Sequence, residues 1–189
     1  LMNYLFPLGF YLMMGAFFLR ITALLRCTMI PAMITFAILA ATLLGLPDPL
    51  VNARETGIFR SYKINGVPAF SILFIPGLTT GMHLAVVSLI ITFSAPFLFD
   101  AQIPQNGFAF FITLVALSIA CSGIGILIGV ISPSTRLTVL YSQVIFVPSM
   151  ILGGLMLPYS MLPAVAQKIA QLMPATHAMN AFNGLAMGA

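Results

Sequence analysis

Long apolar stretches, each about as long as a bilayer is thick, are separated along this chain by short polar breaks. A helix needs about 20 apolar residues to cross the hydrocarbon core. Five runs meet that need, at 1–19, 27–46, 69–99, 108–131 and 137–157. Arg20 and Arg26 fall between the first and second runs, 100–107 is a loop, and 132–138 is a short loop holding Arg136. The pattern predicts an all-α integral membrane protein, a polytopic helical bundle with about five transmembrane helices in one domain over 1–189.

Details within the runs refine this. Pro31 is placed in the first turn of the second span, where proline is tolerated. The third run carries Pro76 and Pro96, with Gly77 and Gly81, whose freed backbone groups neighbouring helices can satisfy. Gly125 and Gly129 form a GxxxG pair that permits close helix contact.

Two segments are not spans. The stretch 46–68 reads LPDPLVNARETGIFRSYKINGVP. Asp48 suits an N-cap, Pro49 a first helical position, and Asn65-Gly66 followed by Pro68 a helix stop. A helix over 48–65 is expected, with Leu50, Ile58, Phe59 and Tyr62 toward the bundle or the membrane interface and Arg54, Glu55, Arg60 and Lys63 toward water or a partner. The tail, 158–189, is broken by Pro158, Pro163 and Pro174. Val165, Ile169 and Leu172 share one helical face, so one or two short interfacial or re-entrant helices are expected there.

Composition agrees with a lipid solvent. The chain of 189 residues is 61% hydrophobic and 5% charged, with a mean hydropathy of +1.13. A soluble fold carries about 25% charged residues. The net charge of +4 is spread singly between apolar runs, which argues against a nucleic-acid face. By loop, Arg54, Arg60, Lys63 and Arg136 share one side against Arg20, Arg26 and Lys168 on the other. The positive-inside rule makes the first side cytoplasmic by a narrow margin, and the tail extracytoplasmic.

The chemistry available is sparse. Lys63 and Lys168 both precede isoleucine, so no P-loop is present. Asp48, Glu55 and Asp100 are the only acids, all read as lying in loops or at helix ends, which leaves no intramembrane carboxylate pair or carboxylate metal site. His83 is the one imidazole well inside a span, a candidate pathway residue or a plain interhelical hydrogen-bonding group. His177 reads as a surface or packing residue, and Cys27 and Cys121 as small buried hydrophobes. The 16 phenylalanines and 12 methionines suit packing, lipid contact or an adaptable apolar cleft.

Three groups of residues resemble the membrane subunit of type 2 ABC transporters, the exporter permeases. Arg54-Glu55-Thr56-Gly57, then Arg60 and Gly66-Val67-Pro68, resembles the family's Glu-Arg-Glu-x-Gly coupling segment. Ile30-Pro31-Ala32 resembles the Pro-Gly of its second helix. Leu152-Gly153-Gly154 through Leu157-Pro158, Leu162-Pro163 and Met173-Pro174-Ala175-Thr176 resembles its ending. The order and spacing match across nearly the whole chain. Ala53 stands where the family often has its first Glu, and His177 where a Tyr is usual. The family's N-terminal amphipathic helix and sixth helix are not in these residues, so the sequence reads as a piece of a longer permease.

The resemblance implies an ATP-driven exporter in the bacterial cytoplasmic (inner) membrane. It implies two permease protomers, a homodimer or a pair of similar chains, forming the pathway. It implies a separate or fused ABC ATP-binding subunit that docks on a cytoplasmic coupling helix holding Arg54, Glu55, Gly57 and Arg60. ATP and Mg would be held by that partner and no cofactor by this chain, which is then a transport subunit and not an enzyme. The tail after Pro158, with Pro163 and Pro174, would form re-entrant helices on the outer face. The alternative is an ion-coupled secondary transporter, which such few intramembrane charges and no visible repeat argue against; a membrane enzyme is disfavoured by the acid and histidine counts.

Overall fold

The computed structural model describes residues 2–18, 24–101, 106–155, 159 and 162–187. Pro158 and Arg20 lie outside the described residues, as do the side chains of Arg26 and Cys27. Among the described residues the chain is helical, with no strand. The helices are α1 (Met2–Phe18), α2 (Leu24–Leu39), a π-helical segment (Ala40–Gly45), α3 (Pro47–Glu55), α4 (Ile58–Ile64), α5 (Ala69–Phe99), α6 (Gly107–Ile131), α7 (Thr135–Leu152), α8 (Ala164–Ala170) and α9 (Pro174–Met187).

Four helical stretches are long and apolar enough to cross a membrane: Thr28–Glu55, Phe70–Phe99, Gly107–Ile131 and Thr135–Leu152. Leu5–Ala16 is a shorter apolar helix. The protein is therefore a polytopic helical membrane protein. Helix α5 has the bounds expected for the third run. Its start is fixed by the Gly66-Val67-Pro68 turn and its end by Asp100, in the left-handed region at φ 54°.

The central element is α2 with its π-helical continuation. From Met29 to Leu43 its side chains are apolar on all sides but for Thr35 and Thr42, and a helix of that kind belongs inside a bundle. Ile30, Ile34, Ile38, Leu39 and Leu43 are fully buried. It touches α1, α5, α6, α7 and α9. Pro31 lies inside this helix, not in its first turn, because α2 begins at Leu24. The GxxxG pair meets this element directly. A methyl group at Gly125 would land inside contact distance of the Thr42 carbonyl oxygen, and one at Gly129 would meet Leu50. Cys121, one turn before Gly125, is fully buried in the same seam.

Helix α1 lies along α5. The Tyr11 hydroxyl pairs with Ser94 Oγ at 2.9 Å, and the Tyr11 ring meets Phe99 edge-on at 5.3 Å. Phe10 stacks on Phe36 at 3.7 Å, tying α1 to α2.

The tail closes one end of the bundle. On α9, Ala175, Ala178, Met179 and Phe182 are buried. Thr35 Oγ1 meets Met179 Sδ at 3.5 Å, and Phe182 packs on Phe110 at 4.8 Å, near the start of α6. Pro163 and Pro174 immediately precede or open α8 and α9. Of the apolar residues noted in the tail, Val165 on α8 and Leu172, in the turn before α9, are 72% and 81% exposed. The α3–α4 segment lies at the opposite end, beside the close of α6, so the bundle has two chemically distinct ends.

Candidate functional site

The most polar part of the described chain is the α3–α4 end. It differs from the single capped helix expected over 48–65. Leu46 is already helical at φ −81°, ψ −38°, so Asp48 caps nothing and α3 continues the central helix. Asp48 is thus inside a helical stretch, not in a loop. Its Oδ1 is buried and has no hydrogen-bond partner among the described residues. Pro47 and Pro49 lack amide donors, but the wide π turn ahead of them has already shifted the hydrogen-bond register.

The true break comes at Gly57. Thr56 N–H donates to Asn52 O at 2.9 Å, and its hydroxyl donates to the same carbonyl at 2.8 Å. Gly57 then takes φ 77°, a left-handed conformation that strains any residue with a Cβ. No atom lies within 4 Å of the position a Cβ would take, so the backbone angle and not crowding asks for glycine. The Gly57 carbonyl accepts from Arg60 and Ser61 N–H at 3.0 and 3.2 Å, starting α4. That helix stops where expected, with Gly66 at φ 75° and Val67 N–H bonded to Tyr62 O at 3.0 Å.

Glu55 is exposed, as its sequence pattern leads one to expect, and Arg54 is half-buried, but both side chains also reach back to the bundle. Arg54 Nη1 donates to Val130 O at 2.9 Å, and its Nη2 donates to Ser132 O. Those carbonyls close α6, where the last C=O groups lack internal N–H donors and carry partial negative charge. Glu55 turns to the next helix. Its Oε1 accepts from Thr135 N–H at 3.3 Å, and Oε2 from the Thr135 hydroxyl at 3.0 Å. Thr135 opens α7, whose own N-cap residue, Ser134, makes no side-chain cap. Two adjacent residues of opposite charge therefore complement two opposite helix termini at one turn. The sequence offers no sign of this, because the partners are 76 to 80 residues away.

Arg60 and Lys63 on α4 are exposed, as is Arg136 at the start of α7. The 132–138 loop and the α3–α4 segment thus share one end of the bundle. Of the four apolar residues, Leu50 packs on the bundle, while Ile58 and Tyr62 are 43% and 45% exposed, open to the membrane interface. His83 is part-buried on α5, about 21 Å along the helix from its start, and does not join this group. His177 Nε2 lies 2.7 Å from the Gln171 carbonyl, tying the opening of α9 to the end of α8.

The family model described as ABC-2 type transporter matches residues 1–186. The chain belongs to the ABC-2 type transporter family. No curated protein and no solved structure matches it. As a member, this ABC-2 permease is a transport subunit of an ABC transporter and not itself the ATPase. Membership implies pairing with an ATP-binding subunit, and the long apolar helices make the protein integral to the membrane.

Proposed function

We propose that this permease moves cargo outward, driven by ATP hydrolysed in a partner that docks on the α3–α4 turn. Two protomers build the pathway, in a bacterial cytoplasmic membrane with the α3–α4 end inside and the α8–α9 end outside. ATP and Mg sit in the partner. The partner meets the tip at Gly57 and the exposed Arg60, while Arg54 and Glu55 carry its displacement to α6 and α7. Drug-like, lipid and glycan cargoes all suit this reading.

One observation carries it. The Arg54–Glu55 pair grips the ends of two further helices, so a push on the exposed turn is a push on the α6–α7 hairpin. Opposite caps on a single turn make a stiff joint, and a joint of that kind suits a lever better than a passive loop.

The test is co-purification of the full-length permease with its ATP-binding subunit, followed by ATPase rates. Gly57→Pro is expected to weaken the complex. Glu55→Ala is expected to keep cargo binding while permease-dependent ATPase stimulation falls. Loss of cargo binding with normal stimulation would overturn the assignment. Transport that survives ATP depletion and collapses with the proton gradient would favour the ion-coupled alternative, with His83 and Asp48 as its candidates.

A further inference from the structure

Two cavities of about 480 Å³ each lie between α4 and the first turns of α5. They share a wall of Leu50, Phe59, Val67 and Ile72, and so form one groove. Each falls within the roughly 300–1,000 Å³ typical of sites that bury a small molecule. The lining is apolar apart from Ser71, the Tyr62 hydroxyl and one lip, where Arg54 and Lys63 stand; no carboxylate lines either cavity.

The groove opens beside a surface that water does not cover well. Phe70, Phe74 and Leu78, on the early turns of α5, are 72%, 50% and 54% exposed. The Phe70–Phe99 span of 30 residues is about 45 Å long at 1.5 Å per residue, against a hydrocarbon core of about 30 Å. Its first turns therefore reach headgroup level. An apolar slot with a cationic lip at that depth matches the two ends of one molecule.

We propose that this groove holds an anionic phospholipid. An acyl chain lies against Leu50, Phe59, Val67 and Ile72. The phosphate meets the Lys63 ammonium and the Arg54 N–H groups that the Val130 and Ser132 carbonyls leave unused. The bound lipid wedges α4 against α5 and sets the angle at which the Gly57 turn leaves the bundle. The site does not depend on the ATPase reading, since lipid binding is measured without the partner.

The 189 residues contain no tryptophan, so in a full-length background with every tryptophan outside them replaced by Phe, Phe59→Trp places a single reporter on the shared wall. Tyr62→Trp, at a position 45% exposed, gives a second reporter that packing does not constrain. The full-length protein is reconstituted in vesicles containing dibrominated phosphatidylglycerol or dibrominated phosphatidylcholine, and quenching is followed. Phosphatidylglycerol is expected to quench at the lower mole fraction. Lys63→Gln is expected to reduce that preference by about fivefold, the worth of one cation near an anionic surface. Lys63→Arg retains it, and Arg136→Gln, an equal charge loss outside the groove, leaves it unchanged. A Phe93→Trp control, 66% exposed on α5, responds alike to both lipids in a folded, inserted protein. Equal quenching of Phe59→Trp by both lipids would overturn the site. So would equal effects of Lys63→Gln and Arg136→Gln, which mean diffuse surface charge. Absence of quenching by either lipid, with the control responding, would give the groove to a protein segment instead.

Discussion

Gly125 sits where the backbone of α6 comes closest to the π-helical segment, and its missing side chain sets that distance. The neighbour is a backbone carbonyl, Thr42 O, which has little room to withdraw. At Gly129 the neighbour is the Leu50 side chain, 3.0 Å from where an added methyl group would sit, and a side chain can rotate. Gly125→Ala is therefore expected to cost more than Gly129→Ala, by about 1–3 kcal/mol of overpacking against less than that. Thermal denaturation in detergent, followed by far-ultraviolet circular dichroism, checks the order; equal midpoints would mean that α6 slides freely on the central helix. The GxxxG spacing was legible in the sequence because it is a local motif. Its partner was not, because nothing in a uniformly apolar run marks which turn of α2 lies opposite. Asp48 shows the same limit from the other side. Its proline neighbours read as the start of a helix, yet the preceding residues are already helical and the carboxylate is left without a cap to make. Asp48→Asn removes the charge and keeps the shape. In an ATP-driven permease it is expected to leave transport near that of wild type, since the side chain keeps its shape and the buried Oδ1 has no hydrogen bond to lose. Loss of transport would mark Asp48 as part of an ion path.

Among elements, the α6–α7 turn depends on a segment far away in sequence. The α6 carbonyls at Val130 and Ser132 lean on Arg54, and the opening of α7 leans on Glu55. Removing either side chain leaves one helix end without its partner, at a cost of about 1 kcal/mol. The loss is local, so it is expected as faster hydrogen exchange at residues 132–138 in Glu55→Ala, with α5 unchanged. Arg54→Ala is expected to act on the same residues, and the double variant to add little beyond either single change, because both caps hold one turn. Uniform acceleration across the bundle would mean that the pair supports global stability only. The bounds of α5 and α6 followed from the sequence because polar or turn-forming residues mark their ends: Pro68, Asp100, Asn106 and Ser132. The join between α2 and α3 carries Pro47, Asp48 and Pro49, the usual marks of a helix start, and there the π turn carries the helix through. Gly57 supplies the real break, since only its φ of 77° lets the chain turn.

At the scale of the molecule, the two ends of the bundle differ in kind, and that difference yields the orientation. Arg54, Arg60, Lys63 and Arg136 gather at the α3–α4 end, brought together by the Glu55–Thr135 contacts. Lys168 sits with α8 at the far end, beside an α9 whose buried face is apolar. Counting loop charges in the sequence gives a margin of one residue; among the described side chains the fold gathers the four at the α3–α4 end into one compact basic group, with Lys168 at the other end. Positive charge close to span ends favours the cytoplasmic side, so the basic end is expected inside. Cysteine labelling with a membrane-impermeant maleimide checks this. Cys121 is buried, and Cys27 is replaced by Ser beforehand. Arg136→Cys and Lys63→Cys are expected to react in inside-out vesicles, and Lys168→Cys in intact cells. Reaction of Arg136→Cys and Lys168→Cys from the same side would contradict the two-ended bundle itself. The reverse pattern would keep the bundle and place the α3–α4 turn outside. No cytoplasmic ATPase can reach a turn on that face, so this outcome would remove the lever while leaving family membership untouched.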